Sequence, residues 1–263
     1  MIPLLYLICG AIYLRDIFRD PLSERNLISI LLRTQILVHG AVIIYEWLNM
    51  TQVYRSDVIY AMAFSSLFLI WASLRPKEPA KLLILIWPVA FVLTLLAAFL
   101  PDGTLLSNNN IEHAKSIYAH IFLALIGYAS FFLVTLTGFL YLQLRYLLQK
   151  ALSPPWMKFL PSLLQLGKIQ QRALWVGIIA FTVSIGLGKL SPYLWGIEHK
   201  WSSKELLSVV IWSIYTVMAV VRHYFHTRKD WFAYSALVGF VLVAITIFIL
   251  GFFSGTTAIE VAS

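Results

Sequence analysis

Charge is scarce in this chain of 263 residues: only 12% are Asp, Glu, Lys or Arg, against 60% hydrophobic. Mean hydropathy is +0.81. So few polar groups cannot clothe a water-soluble core, which excludes a soluble globular domain and points to a polytopic membrane protein. Cysteine is nearly absent. Cys9 stands alone, so an intramolecular disulfide, a multi-cysteine metal site and CxxC redox chemistry are all excluded. Hydrolase and nucleotide signatures are missing as well: there is no GxSxG, no HExxH, no Walker loop and no carboxylate pair within a span. The chain therefore does not read as an enzyme. Met1-Ile2-Pro3-Leu4-Leu5 lacks a basic n-region, so the first apolar segment reads as a retained span rather than a cleaved signal.

Long hydrophobic runs dominate what is present. A helical span needs about 20 apolar residues. Eight candidates occur, at roughly 2–18, 26–47, 57–74, 80–100, 115–147, 169–190, 205–226 and 231–253. Backbone groups in lipid must be satisfied internally, and no alternating barrel pattern is visible, so the spans are expected to be helices. The fold class is all-α, a polytopic membrane helical bundle of about eight transmembrane helices. It reads as one bundle over 1–263, with a five-helix part (1–150) and a three-helix part (151–263).

The net charge of +8 does not indicate nucleic acid, because the basic residues lie in short connections between spans. Arg15, Arg19, Arg25, Arg75, Lys77, Lys81, Arg145, Lys150, Lys158, Lys168, Arg172, Arg222, Arg228 and Lys229 fall on one side. Arg55, Lys115, Lys189, Lys200 and Lys204 fall on the other. The positive-inside rule then puts both termini and loop 191–205 on the outer side of a bacterial inner (plasma) membrane.

Loop 191–205 is the most informative polar stretch. Trp195-Gly196-Ile197-Glu198-His199-Lys200-Trp201 places two indoles, an imidazole and an ammonium group at a membrane surface. Tryptophan collects at bilayer interfaces regardless of function, so an aromatic belt explains the loop alone equally well. The six histidines carry the rest. His39 lies inside the second span, where an ionisable residue is a functional hypothesis by default; a neutral imidazole bonded across helices is the ordinary alternative. His120 lies near the outer end of the fifth span and shares a face with Ala124 and Tyr128. His223 and His226 sit at the cytoplasmic end of the seventh span. Either they face one site, or they form a solvated cationic helix end. His199 lies beside Trp201, and His113 is an exposed-loop position. Dispersed histidines without cysteine or carboxylate partners fit a zinc or copper site poorly. Haem requires one or two axial histidines, an aromatic wall and cations for its propionates, and all three classes of group are present.

Three stretches resemble the cytochrome c assembly family of haem-handling membrane proteins (CcsA-, CcmC- and HemX-like). The first runs from His120 to Gly127-Tyr128-Ala129. The second is Leu166-Gly167-Lys168-Ile169-Gln170-Gln171-Arg172, followed by Gly177, Phe181-Thr182, Gly186 and Gly188. The third is Trp195-Gly196 through Trp201 and Lys204-Glu205, followed by Ile211-Trp212 and Tyr215. The resembling region runs from about residue 57 to 253. His39 and the first two helices look most like the short YpjD/HemX-type branch.

The resemblance implies a non-covalent haem b held at the outer membrane face and offered to an apocytochrome c. His120 would be an outer iron ligand, and Trp195, Gly196 and Trp201 the haem-facing loop. His39 and one of His223 and His226 match the places of histidines within family spans. Partners would be haem, and another cytochrome c assembly membrane protein or an apocytochrome c. The pattern also departs from the family. His199 stands where a tryptophan is expected, Ser202-Ser203 where Asp-Pro is expected, and Gly251 to Ser263 contains no histidine. His199 is thus a candidate substitute ligand. A membrane regulator or scaffold in haem biosynthesis or cytochrome maturation, without haem transport, is the alternative function.

Overall fold

The computed structural model describes residues 2–19, 25–49, 53–73, 82–99, 104–106, 111–155, 157, 160–194, 203–225 and 231–242. Among them lie helices α1 (Ile2–Arg19), α2 (Arg25–Asn49), α3 (Arg55–Ser73), α4 (Leu83–Phe99), α5 (Ile111–Gln149), α6 (Leu163–Leu194) and α7 (Ser203–Phe225). An eighth helical stretch, α8, covers Trp231–Leu242. Each falls within one of the eight apolar runs of the sequence or overlaps it closely. Among the described residues, four segments are long and apolar enough to cross a membrane: Ile30–Asn49, Lys115–Gln149, Leu163–Leu190 and Leu206–Tyr224. The chain is a multi-pass helical membrane protein.

Local signals set the helix ends. At the start of α6 the Ser162 amide donates to Gln165 Oε1 (3.0 Å) and the Gln165 amide returns a bond to Ser162 Oγ (3.4 Å). This reciprocal capping box satisfies two amides that have no helical partner. α5 ends with the Leu152 amide bonded to the Leu147 carbonyl (2.9 Å) and the Ala151 amide to the Leu148 carbonyl (3.2 Å). That Schellman closure requires a left-handed residue, here Ala151 at φ 53°. Pro154 and Pro155 then prevent the helix from resuming.

One feature was not legible in the hydropathy. Val53–Tyr54 pairs antiparallel with Thr104–Leu106, as strands β1 and β2. The pair ties the α2–α3 connection to the α4–α5 connection at one end of the bundle. Trp47 strengthens the same end by donating its indole N–H to the Lys115 carbonyl (3.2 Å).

α3 is central and packs on α2, α4, α5 and α6, while α1 packs on α2 and α4. The most extensive pairing is α5 with α6, and small residues on both helices make it possible. A β-carbon at Gly127 of α5 would overlap the Phe181 ring of α6. One at Gly177 of α6 would lie 2.7 Å from the Ser130 β-carbon of α5. Each helix thus leaves a gap that the other fills, the usual route to close approach where lipid supplies no hydrophobic drive. α7 packs beside α6. α8 meets α5, where Thr135 donates to the Ala236 carbonyl (3.4 Å). Phe131 of α5 and Tyr215 of α7 stack face to face, with centroids 4.0 Å apart and planes 3° apart.

Candidate functional site

Most buried hydroxyls need nothing from outside their own helix. Ser65, Ser130 and Thr137 each donate to a carbonyl one turn earlier, which satisfies them cheaply in an apolar bundle. Two histidines behave differently and bond across helices.

His120 sits on the inward face of α5, against α6. Its Nδ1 lies 2.7 Å from the Ser184 carbonyl oxygen and 3.1 Å from Ser184 Oγ. Ser184 Oγ in turn donates to the His120 carbonyl (2.9 Å). A carbonyl oxygen only accepts, so Nδ1 carries the proton and Nε2 presents its lone pair. A histidine that gives one ring N–H to a backbone carbonyl and keeps the other nitrogen free has the arrangement of a metal ligand with its orientation fixed. Gly188 makes room for the ring: a β-carbon there would come within 2.8 Å of His120 Cε1 and 2.9 Å of Nδ1.

Two turns further along α5, Tyr128 remains partly exposed. Its hydroxyl lies 3.2 Å from Ser208 Oγ of α7, and its ring meets the Phe181 edge at 4.8 Å. Trp212 of α7 donates to Thr182 Oγ1 of α6 (2.8 Å). Both contacts draw α7 toward the His120–Tyr128 region of α5 and α6. The second and third resembling stretches of sequence are therefore bonded to each other in space.

His39 is wholly buried in α2. Its Nδ1 lies 2.9 Å from the Tyr6 hydroxyl of α1, and its Nε2 has no hydrogen-bond partner. Edge contacts from Tyr6, Tyr60 and Phe64 surround the ring at centroid distances of 5.6, 6.0 and 5.5 Å. Phe64 also meets Phe122 at 5.8 Å, two residues beyond His120. The aromatic pair links the surround of His39 to the turn of α5 that carries His120.

At the opposite end of α7, His223 is exposed, with its ring against Tyr224 at 5.2 Å. Its neighbour Arg222 is the packed residue: it donates to the Gly167 carbonyl (3.2 Å) and covers the Phe232 ring at 3.9 Å. Trp195, Gly196, His199, Trp201 and His226 lie outside the described residues. Among the described residues no three His, Cys, Asp or Glu side chains gather into a metal cluster.

Sequence reasoning passed over Tyr6, Gln35 and Ser184. Gln35 and His39 are four residues apart on α2, a spacing that was available as a signal. Tyr6 and Ser184 become visible only through helix packing.

No curated protein matches the chain. A family model described as Cytochrome C assembly protein matches residues 26–257. The match takes in α2 to α8, the buried His39, the half-buried His120 and the tryptophan-flanked loop, and leaves α1 outside. Because it spans nearly the whole chain, this protein belongs to the cytochrome C assembly protein family.

Proposed function

We propose that this protein binds haem b non-covalently and presents it at the outer face of a bacterial inner membrane for cytochrome c assembly. The observation that carries the reading is the state of His120. Its Nδ1–H is committed to Ser184, and Gly188 leaves space for the ring. An imidazole so held offers Nε2 as an axial nitrogen without further rearrangement.

The residues fit haem in kind. His120 would hold the iron, Tyr128 stands two turns away on the same helix, and Trp195, Gly196 and Trp201 would lie against the porphyrin. Lys200 or Lys204 would meet its propionates. His199, His39, His223 and His226 are the further candidates for iron. Bound haem supplies the reactive vinyl groups and the redox-active iron. The protein would position it and keep competing chemistry away.

Orientation follows from charge. The basic connections place the β1–β2 end outside and the α5–α6 connection in the cytoplasm, with eight spans and both termini outside. His120 lies on the β1–β2 side of α5, which agrees with an outer site. Partners of this reading are an apocytochrome c or another membrane protein of cytochrome c assembly. In this reading the chain is of the short HemX-like kind.

A specific feature favours a second reading, a regulator or scaffold that carries no haem. His199 stands where the resemblance leads one to expect a tryptophan, and the stretch from Gly251 to Ser263 contains no histidine.

One preparation separates the two. The protein is purified in mild detergent from haem-replete cells, and oxidised and reduced absorption spectra are recorded beside His120→Ala. The haem reading expects a b-type Soret and α band that weakens in the variant. A colourless, folded protein that stays colourless after haem is added would overturn it in favour of the scaffold.

A further inference from the structure

Arg222 is a cation that the described residues leave without a counter-ion. It stands near the end of α7, inside the apolar span Leu206–Tyr224, and is only partly exposed. Its Nη2 donates to the Gly167 carbonyl of α6 (3.2 Å), and its Cζ lies 3.9 Å from the centroid of the Phe232 ring of α8. Its Nη1 is buried and has no hydrogen-bond partner. A carbonyl dipole and a ring quadrupole attract a guanidinium without neutralising it, and most of its N–H donors stay unused. A charge held this way in a membrane bundle marks a functional site by default.

The neighbours of Arg222 are firmly placed. A β-carbon at Gly138 of α5 would lie 2.8 Å from Gln170 Nε2 and 3.3 Å from the Ala233 carbonyl oxygen. Gln170 Nε2 also donates to the Val134 carbonyl (3.1 Å). Gln170 follows Gly167 by one turn of α6, and Ala233 follows Phe232 on α8. The two groups that touch Arg222 are therefore fixed against α5.

The sequence offers little to balance the charge. From His113 to Ile197 the chain contains no Asp or Glu, while Arg145, Lys150, Lys158, Lys168 and Arg172 fall within it. Asp230 is the one carboxylate between Leu206 and Gly251, and it keeps company with Arg222, Arg228 and Lys229. Tyr146 near the end of α5, Tyr224 near the end of α7 and Trp231 at the start of α8 are all exposed. Amphipathic rings of this kind collect at the level of the lipid headgroups. Arg222 stands two residues from Tyr224, at the end of the bundle that the basic connections place in the cytoplasm, and the cytoplasmic leaflet is the anionic one.

We propose that Arg222, between α6, α7 and α8, is the centre of a binding site for the phosphate of an anionic phospholipid in the cytoplasmic leaflet. The exposed part of the guanidinium receives the phosphate oxygens, whose geometry its paired N–H donors match. Lys168, which follows Gly167 and is exposed, adds a second positive charge at the same helix end. The bound lipid ties α6, α7 and α8 together at the end opposite His120, and nothing in the site depends on haem.

The test uses the full-length protein in mild detergent, with native mass spectrometry to count bound lipid. Phosphatidylglycerol and phosphatidylcholine are added at equal concentration. The wild type is expected to retain phosphatidylglycerol preferentially. Arg222→Gln should lower that affinity ~5–10-fold, the share of one basic residue at an anionic surface. Lys150→Gln, at the exposed end of α5, should leave it nearly unchanged. Equal retention of the two lipids by the wild type would overturn the site, and so would equal losses in the two variants. If Arg222→Gln does not fold, Arg222→Lys replaces it. That variant keeps the charge but loses the paired donors, so it should still bind phosphatidylglycerol more weakly, and unchanged affinity overturns the site.

Two further arms settle the source of the counter-ion. Inorganic phosphate at millimolar concentration is expected not to displace phosphatidylglycerol; displacement would mean a soluble phosphate and overturn the lipid as ligand. Asp230→Asn is expected to leave lipid binding intact or stronger. If it instead lowers the melting temperature as far as Arg222→Gln does, and the double variant melts no earlier, Asp230 is the partner of Arg222 and the lipid site is overturned.

Discussion

Gly188 and His120 are matched by shape: a β-carbon at position 188 would stand 2.8 Å from Cε1 of the imidazole and 2.9 Å from Nδ1. The ring that bonds to Ser184 occupies space that any other residue at 188 would claim. Gly188→Ala is therefore expected to push His120 off the Ser184 carbonyl and to cost ~1–3 kcal/mol by overpacking. Gly186→Ala is the control, because nothing lies within 4 Å of a β-carbon there. Thermal unfolding and haem titration of the two variants check this. Equal behaviour of both would mean that the close fit has no consequence.

Ser184 has two roles that a substitution divides. Ser184→Ala removes Oγ, which accepts from His120 Nδ1 and donates to the His120 carbonyl. It keeps the backbone carbonyl that holds Nδ1 at 2.7 Å. The tautomer should survive, so haem affinity should fall at the low end of the outer-shell range, ~10-fold. Spectral titration gives the number. A loss as large as that of His120→Ala would show that Oγ rather than the carbonyl orients the ring.

Stacking of Phe131 on Tyr215 fastens α5 to α7. The Tyr215 hydroxyl contributes little, because its contact with Thr135 Oγ1 is 3.5 Å long. Tyr215→Phe should cost less than ~1 kcal/mol, while Tyr215→Ala should cost ~3–5 kcal/mol by cavity formation. Unfolding in detergent with increasing denaturant measures both, and similar losses would place the importance in the hydroxyl.

Ala151 holds a left-handed conformation, φ 53°, with a side chain that disfavours it by ~1–2 kcal/mol. Ala151→Gly removes that strain at the end of α5, offset partly by the greater freedom of glycine when unfolded. A net stabilisation of ~1 kcal/mol is expected, read as a rise in melting temperature. A fall would mean that the Ala151 methyl group makes a contact that outweighs the strain.

The helices were legible because hydropathy has a length scale. A run of apolar residues long enough to cross lipid must close its hydrogen bonds on itself, and no packing information is needed to say so. That logic located the eight helices among the described residues. It missed β1 and β2, because Val53–Tyr54 and Thr104–Leu106 are too short to show a period and pair only once α2 to α5 have brought them together. The family was legible in the stretches around His120, Gly177 and Trp212. The family match begins earlier than the resembling region, at residue 26, and so includes α2 and His39.

Sequence alone determined that this is a helical membrane protein, that its single Cys9 allows no pair of cysteines to act together, and that histidines are its candidate ligands. Those properties depend on composition and local periodicity. Tertiary structure decided what His120 and His39 touch. His120 and Ser184 lie 64 positions apart in the chain, and His39 and Tyr6 lie 33 apart. Which ring nitrogen holds a proton depends on the acceptor set opposite it, and that acceptor comes from another helix. Only the packing of α5 on α6, and of α1 on α2 and α4, supplies it.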